Sequence, residues 1–317
     1  MPLPEQEILH IHSNNIPNDE IKRQIESVSF CMNFCQVFPR FILYTKSIFL
    51  KEELLTMELN LTGKTALVFA SSQGLGFAIA ERLVKEGANV MISGREEEKL
   101  KQKASQLEAI GIGKVAYKKT DITNPEEINE LVKVTAETFQ GIHLLVNNAG
   151  GPPAGSFEDL TDEEWQYSFE LNLLSYVRMI RASLPYLKQQ GGKILNIASS
   201  SIKEPIPGLI LSNTFRTGIV GLSKTLASEL AQYNILINTI APGRIATDRV
   251  NHLDQVNADK LGVDRETIAS QVKSGIPLKR YGTPEEFANV AAFLLSDANS
   301  YMTGSSFLVD GGMVKAI

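Results

Sequence analysis

The feature that most constrains the fold is a regular alternation, from Met57 onward, of short apolar segments with longer segments of helical periodicity. This alternation is typical of β-α repeats that build a parallel sheet. Candidate strands span residues 65–70, 89–93, 114–118, 143–147, 193–198, 236–240 and 306–309. Helical spacing occurs at 75–86, 96–110, 125–139, 161–189, 213–232 and 284–295. We therefore predict an α/β fold, a single doubly wound parallel sheet of seven strands with helices on both faces.

Composition limits the partners of such a chain. Of its 317 residues, 43% are hydrophobic and 21% charged, and the net charge is −5. This acidic balance argues against nucleic acid as a partner. The most apolar early run, 37–50, is broken by Pro39, Arg40 and Lys46, so we expect no membrane partner. The two cysteines, Cys31 and Cys35, make neither a zinc site nor a disulfide framework, and we expect a cytoplasmic location.

The first 56 residues differ from the rest, because they contain no glycine and no alanine, whereas all 23 glycines follow them. We treat 1–56 as an N-terminal extension and 57–317 as the folded domain. Two interpretations of the extension remain open. It is either a helical arm that packs on a partner, or translated non-coding sequence ahead of a biological start at Met57.

A glycine-containing turn follows the first predicted strand and opens a helix, as a phosphate-binding turn requires. Arg95 follows the second strand. At this position an arginine binds the 2'-phosphate of NADP, whereas an acidic residue would instead bind a ribose hydroxyl. An exposed arginine at a helix start is the alternative for Arg95. The predicted fold is thus Rossmann-like and its cofactor NADP(H), and the turn residues predicted to bind it are Ser71, Ser72, Gln73, Gly74, Leu75 and Gly76.

Further along, several motifs in order make the chain resemble the short-chain dehydrogenase/reductase family, in particular its 3-oxoacyl carrier-protein reductase branch. They are Asp121-Ile122 after the third strand, Asn147-Asn148-Ala149-Gly150 after the fourth, Asn172, Ser199, and Ala241-Pro242-Gly243 with Ile245 and Thr247. The resemblance implies that Asn172 and Ser199 are catalytic. It also implies that Asp121, Ile122, Asn148, Ala149, Gly150, Pro242, Gly243, Ile245 and Thr247 bind cofactor, although Asp121 also suits a simple turn. A homodimer or homotetramer is implied as well.

The resemblance breaks at the family's Tyr-x-x-x-Lys pair, which lies thirteen residues after the catalytic serine. That register holds Ser212 and Arg216, and we place both at the catalytic centre. A serine hydroxyl is far less acidic than a phenol. Arg216 can bind cofactor ribose, but a guanidinium stays charged in proteins and so does not relay protons. The turn departs too, since Ala70 replaces the first glycine, a replacement that fits the turn if φ at Ala70 is negative.

These features leave three functions open. The first is an NADP(H)-dependent reductase of a small carbonyl substrate with an atypical active site. The second is a catalytically silent NADP(H)-binding regulatory or scaffold protein. The third is an enzyme that uses the same pocket for a different reaction, such as dehydration or isomerisation. Lys203, expected to be partly buried beside Ser199, is one candidate proton donor. A long polar insertion at about 244–280 is expected to act as a lid and to bind substrate. Near the mouth we expect Gly151, Pro152, Pro153, Ser156 and Phe157, although packing of this loop is an equally good interpretation.

Overall fold

Seven parallel strands form one sheet in the computed structural model, which describes residues 57–316. The strand order is β3-β2-β1-β4-β5-β6-β7. The strands are β1 (Thr65–Val68), β2 (Asn89–Gly94), β3 (Val115–Lys119), β4 (Leu144–Asn147), β5 (Gly192–Ile197), β6 (Ile235–Pro242) and β7 (Ser306–Val309). All seven strands predicted from the sequence are confirmed. The interpretations of 1–56 lie outside the described residues and stay predictions.

Helices connect the strands. They are α1 (Gly74–Lys85), α2 (Glu97–Glu108), α3 (Pro125–Phe139), α4 (Asp162–Phe169), α5 (Ser175–Gln190), α6 (Ile210–Leu230), α7 (Asp248–Leu261), α8 (Arg265–Gly275) and α9 (Pro284–Leu295). Pro125 and Pro284 occupy the first turns of α3 and α9, where a missing N–H costs nothing. Among the described helices, none is both long and apolar enough to cross a bilayer.

Alternate residues of the strands face opposite sides of the sheet and build two cores. On one side Ala66 and Val68 pack with α1, α2 and α9. On the other, Leu67 and Phe69 pack with α3, α5 and α6. Because β1 is buried on both faces, it reads as a continuous apolar run rather than an alternating one. The doubly wound arrangement expected from the sequence is therefore confirmed.

Two regions differ from the expected elements. The long helix expected at 161–189 is interrupted by a π-helical segment, Glu170–Leu174, between α4 and α5. The polar insertion at 244–280 folds into α7 and α8 rather than an irregular loop. Both insertion helices bury few apolar side chains, so their helical periodicity is weak in the sequence.

The sheet topology determines where a ligand can bind. β1 pairs with β2 on one side and with β4 on the other, so the chain changes direction across the sheet at β1. Loops diverge above the carboxyl ends of the strands at such a point and leave a crevice. The predicted site residues follow the carboxyl ends of β1 to β6.

Candidate active site

A cavity of about 630 Å³ runs along the carboxyl ends of the strands. Most of the residues predicted to form the site line it, namely Ser72, Gln73, Gly74, Leu75, Arg95, Asp121, Ile122, Asn148, Ala149, Gly150, Ser199, Ser212, Arg216, Pro242, Gly243, Ile245 and Thr247. Ser71, Gly76 and Asn172 are buried behind its wall. The structure thus brings the predicted residues together and separates these three from direct ligand contact.

Ser71 shapes the turn after β1. Its Oγ donates to Val68 O at 2.7 Å and accepts from Ser93 N at 3.1 Å, tying the turn to β2. The next residue back, Ala70, has φ +47°. The condition of a negative φ at Ala70 is therefore not met: the turn uses the left-handed conformation that a glycine adopts without strain, and the alanine adopts it at a cost in free energy.

Gly76 and Asn148 pack the turn against the end of β4. Asn148 Nδ2 donates to Ala70 O at 2.9 Å. A Cβ placed on Gly76 would lie 2.6 Å from Asn148 Nδ2 and 3.0 Å from Ala70 O. The absent side chain of Gly76 therefore allows this contact, and its role is in packing rather than in touching a ligand.

The amino end of α1 suits an anionic group. No side chain caps this end, and its first turn holds no acidic residue, so backbone N–H groups face the cavity with the positive end of the helix dipole. A Cβ on Gly74 would meet nothing within 4 Å, which leaves room for a ligand. Arg95 lies exposed at the end of β2 and forms no ion pair in the described part of the chain. These features fit the phosphates of a dinucleotide.

Asp121 shapes a turn and also lines the cavity. Its Oδ1 accepts from Thr123 N at 2.9 Å and from Thr123 Oγ1 at 2.8 Å, which is an Asx turn ahead of α3. The residue also lines the cavity. Shaping the turn and facing a ligand are therefore compatible at this position.

Asn172 lies in the π-helical segment and supports the end of β4. Its Nδ2 donates to Gly150 O at 2.7 Å, while its buried Oδ1 has no partner among residues 57–316. The π-helical segment widens the helix at this point, a distortion that is frequent at functional sites. Asn172 acts on the cavity through the Gly150 backbone.

Arg216 is the most highly connected side chain of the site, and only 5% of it is exposed. Its Nη1 donates to Tyr176 Oη at 2.8 Å and to Ile197 O at 2.7 Å. Its Nη2 donates to Ala149 O at 3.1 Å and Gly150 O at 3.3 Å. The guanidinium therefore ties together the ends of β4 and β5 and helix α5. Since both η nitrogens already serve protein acceptors, the side chain has little left to offer a ribose.

Tyr176 completes this cluster from α5. Its hydroxyl donates to Ile197 O at 2.7 Å. Complete burial raises the pKa of the Tyr176 phenol, and the positive charge of Arg216 only partly opposes the rise. The phenol therefore stays protonated, and it lies behind the wall of the cavity, where it positions Arg216 rather than a ligand.

Two hydroxyls face the cavity beside Arg216. Ser199 Oγ accepts from Ser201 N at 3.2 Å, so its own hydrogen is free to donate to a ligand. Ser212 also lines the cavity, one helical turn before Arg216. Lys203, expected to be partly buried, is exposed and lies outside the cavity wall. That expectation was wrong, because the 3₁₀ turn after Ser199 carries Lys203 out to the surface.

The insertion closes the other wall of the cavity. Arg244 forms an ion pair with the buried Asp254 at 3.3 Å, and Tyr281 Oη donates to Asp254 Oδ2 at 2.7 Å. Burial, followed by the Asp254 carboxylate, raises the pKa of the Tyr281 phenol. The three side chains fasten α7 over the end of β6.

Sequence reasoning missed several residues of this wall and of the opposite one. They include Arg249, Val250 and Leu253 on α7, together with Leu209 and Met313. The only signal for the α7 residues was their position in the polar insertion. Of the residues expected near the mouth, Gly151 and Pro152 line the cavity, whereas Ser156 and Phe157 do not.

Comparison with known proteins agrees with this geometry. The sequence model of the family described as Enoyl-(Acyl carrier protein) reductase matches residues 69–314. The chain is 35% identical over 254 residues to human Dehydrogenase/reductase SDR family member 4, covering 80% of this chain and 88% of that protein. It is 36% identical over 258 residues to 3-oxoacyl-(acyl-carrier-protein) reductase of Aquifex aeolicus, covering 81% of this chain and 100% of the relative.

Solved structures give the same result. The crystal structure of L-sorbose reductase from Gluconobacter frateurii, complexed with NADPH and L-sorbose, aligns with a TM-score of 0.78 and 33% sequence identity. The alignment covers 82% of this chain and all of that one. The chain belongs to the short-chain dehydrogenase/reductase family of oxidoreductases.

Proposed function

We propose that this chain is an NADP(H)-dependent reductase that converts a small carbonyl compound to an alcohol. The observation that carries the proposal is one continuous cavity. At one end it presents the uncapped amino terminus of α1 and Arg95, which forms no ion pair within residues 57–316. At the other end it presents the hydroxyls of Ser199 and Ser212. The NADPH held by the related L-sorbose reductase structure supports the choice of cofactor.

The cofactor end of the cavity would hold NADP(H) through backbone and charge. The N–H groups of α1 would bind the pyrophosphate, and Arg95 would pair with the 2'-phosphate as a charge-assisted fork. Ile122 and Asp121 would border the adenine. The segment from Pro242 to Thr247 would border the nicotinamide. When bound, this cofactor supplies the hydride.

The substrate end would bind the carbonyl oxygen. Ser201 N donates a hydrogen bond to Ser199 Oγ, so the hydroxyl hydrogen of Ser199 can point to the carbonyl oxygen instead. Ser212 supplies a second hydroxyl on the same wall. Negative charge that develops on the carbonyl oxygen during reduction would be stabilised by these hydroxyls and by the nearby Arg216 cation. The oxygen then takes its proton from water through a serine hydroxyl.

The proposal includes the replacement of the family's proton-transfer pair by Ser212 and Arg216. A positioned general acid is typically worth about 10²- to 10⁴-fold in rate. We therefore expect slower turnover than an enzyme with a Tyr-Lys pair, with catalysis resting on orientation and electrostatics. In this proposal Arg216 holds the substrate end of the cavity in shape and contributes positive charge, without carrying a proton.

The test measures cofactor binding and turnover separately. NADPH affinity would be measured by fluorescence, and NADPH oxidation against a panel of ketones, β-ketoesters and quinones. Ser199→Ala and Ser212→Ala should each retain NADPH affinity and lose about 10-fold or more in kcat. Ser105→Ala, an exposed serine on α2, is the matched control and should leave both unchanged.

Two results would contradict the proposal. Absence of NADPH binding would remove the cofactor. Tight NADPH binding without oxidation by any carbonyl would favour the silent NADP(H)-binding protein instead.

A further inference from the structure

The substrate end of the cavity contains a second arginine, Arg249, at the start of α7. Its Nη2 donates to Pro152 O at 3.0 Å. A Cβ placed on Gly151 would lie 2.9 Å from Arg249 Nη2, 3.1 Å from Nε and 3.2 Å from Cζ. The guanidinium therefore lies flat against the loop after β4, and the absent side chain of Gly151 makes room for it. Arg249 is exposed, and this contact holds its guanidinium against the loop.

Arg249 lacks an acidic partner. None of the ion pairs formed within residues 57–316 involves it. By contrast, the neighbouring Arg244 is neutralised by Asp254. The pKa of Arg249 is lowered, first by partial burial and then by repulsion from Arg216. Two arginines thus place positive charge at the same end of the cavity.

The other charged groups on the cavity wall do not offset this charge. Arg95, Glu96 and Asp121 follow β2 and β3, at the cofactor end. Asp248 precedes Arg249 directly and lines the cavity, but it forms no ion pair with a described side chain. A fixed guanidinium without a countercharge is a good partner for a planar carboxylate, which it binds with two parallel hydrogen bonds.

Apolar side chains line the cavity next to Arg249 and Ser212 along the chain. Val250 and Leu253 lie within about one turn of Arg249 on α7, and Leu209 directly precedes α6, which carries Ser212; Met313 also lines the cavity. Apolar surface combined with few, specifically placed polar groups is typical of sites that orient small molecules. The geometry points to a substrate with three parts: a carbonyl at Ser199 and Ser212, an aliphatic body against these side chains, and an anionic group at Arg249.

We infer that the substrate is an oxo acid, whose carboxylate is bound by Arg249 while its ketone is reduced. This inference rests on the proposed reductase function and adds the substrate class. Reduction transfers one hydride from NADPH to the ketone carbon and one proton from water to its oxygen, giving a hydroxy acid and NADP⁺. The carboxylate is unchanged by the reaction and serves only to orient the substrate.

The experiment compares matched pairs of an aliphatic oxo acid and its methyl ester, with the ketone at C2 to C5 in chains of five to eight carbons. The full chain should show at least about 10-fold higher kcat/KM for the best acid than for its ester. Arg249→Gln should lower kcat/KM for the acid by about 10- to 100-fold and leave the ester unchanged. Arg249→Lys should lie between the two. Arg265→Gln, an exposed arginine on α8 outside the cavity wall, is the control.

NADPH affinity is measured for every variant, because Arg249 could instead contact a cofactor phosphate. Weaker NADPH binding by Arg249→Gln with no change in acid-over-ester preference would overturn the inference. Esters reduced as well as acids by the unaltered protein would overturn it too, while leaving the reductase function intact.

A binding measurement separates failure of the inference from failure of the proposed function. Calorimetry is run with the hydroxy acid added to the NADP⁺ complex. Suppose that the unaltered protein binds the hydroxy acid, that Arg249→Gln does not, and that no carbonyl is turned over. This result would support the carboxylate site and overturn the reductase function. No binding and no turnover would overturn both.

Discussion

Replacing Arg216 with lysine should destabilise the protein. The guanidinium donates from two nitrogens to four acceptors, on Tyr176, Ile197, Ala149 and Gly150. A lysine ammonium carries three hydrogens on a single nitrogen and cannot span this separation. Gly150 O retains its bond from Asn172 and Ile197 O its bond from Tyr176, so the loss falls mainly on Ala149 O and the Tyr176 hydroxyl.

The size of the effect follows from these contacts. Losing one or two hydrogen bonds to a buried charge, at about 1.5 kcal/mol each, costs about 1.5–3 kcal/mol. For a domain of this size, each kcal/mol lowers Tm by about 2–4 °C, so Arg216→Lys should lower Tm by about 3–12 °C. Thermal unfolding followed by circular dichroism measures the shift, with Arg265→Lys as the surface control. A Tm within 1 °C of the unaltered protein would show that the four contacts do not stabilise the fold.

Three further predictions concern the turn, the cofactor and the pH profile. Ala70→Gly should raise the free energy of unfolding by about 0.5–1 kcal/mol in urea titration, because Ala70 has φ +47°; a loss of stability would refute the strain argument. Arg95→Ala should weaken NADPH binding by about 10-fold or more and leave NADH binding unchanged, with Lys101→Ala as control; equal losses for both cofactors would contradict a 2'-phosphate role. Within the described part of the chain the cavity wall holds no His, Cys or Lys, so kcat should stay within about 3-fold from pH 6 to 9; a steep titration in that range would reveal a general acid.

The sheet could be predicted from the sequence because strand and helix periodicities alternate clearly. β1 ends two residues earlier than predicted, at Val68, since Phe69 and Ala70 already enter the turn. The helices of the insertion could not be predicted in this way. In α8, for example, Ile268 and Ala269 are the buried residues, and two adjacent apolar positions set no helical period.

The membership of the site was predictable, but the role of each side chain was not. Motif order brought Ser199, Ser212 and Arg216 to one cavity, because each follows or faces the carboxyl end of a strand. The donors of Arg216 were expected to reach the cofactor, yet they are taken up by backbone carbonyls. Every residue carries the same backbone carbonyl, so the sequence does not show which carbonyls the fold brings to Arg216.

The central claim is that a reductase operates here with Ser212 and Arg216 in the register of the usual tyrosine and lysine. The most direct measurement is NADPH oxidation by the full chain against the carbonyl panel, at a temperature well below Tm, alongside the Ser212→Tyr/Arg216→Lys double variant. The account predicts that the unaltered protein converts NADPH and ketone to NADP⁺ and alcohol in equal amounts. An unaltered protein that binds NADPH but oxidises none of it, while the double variant turns over, would contradict the account.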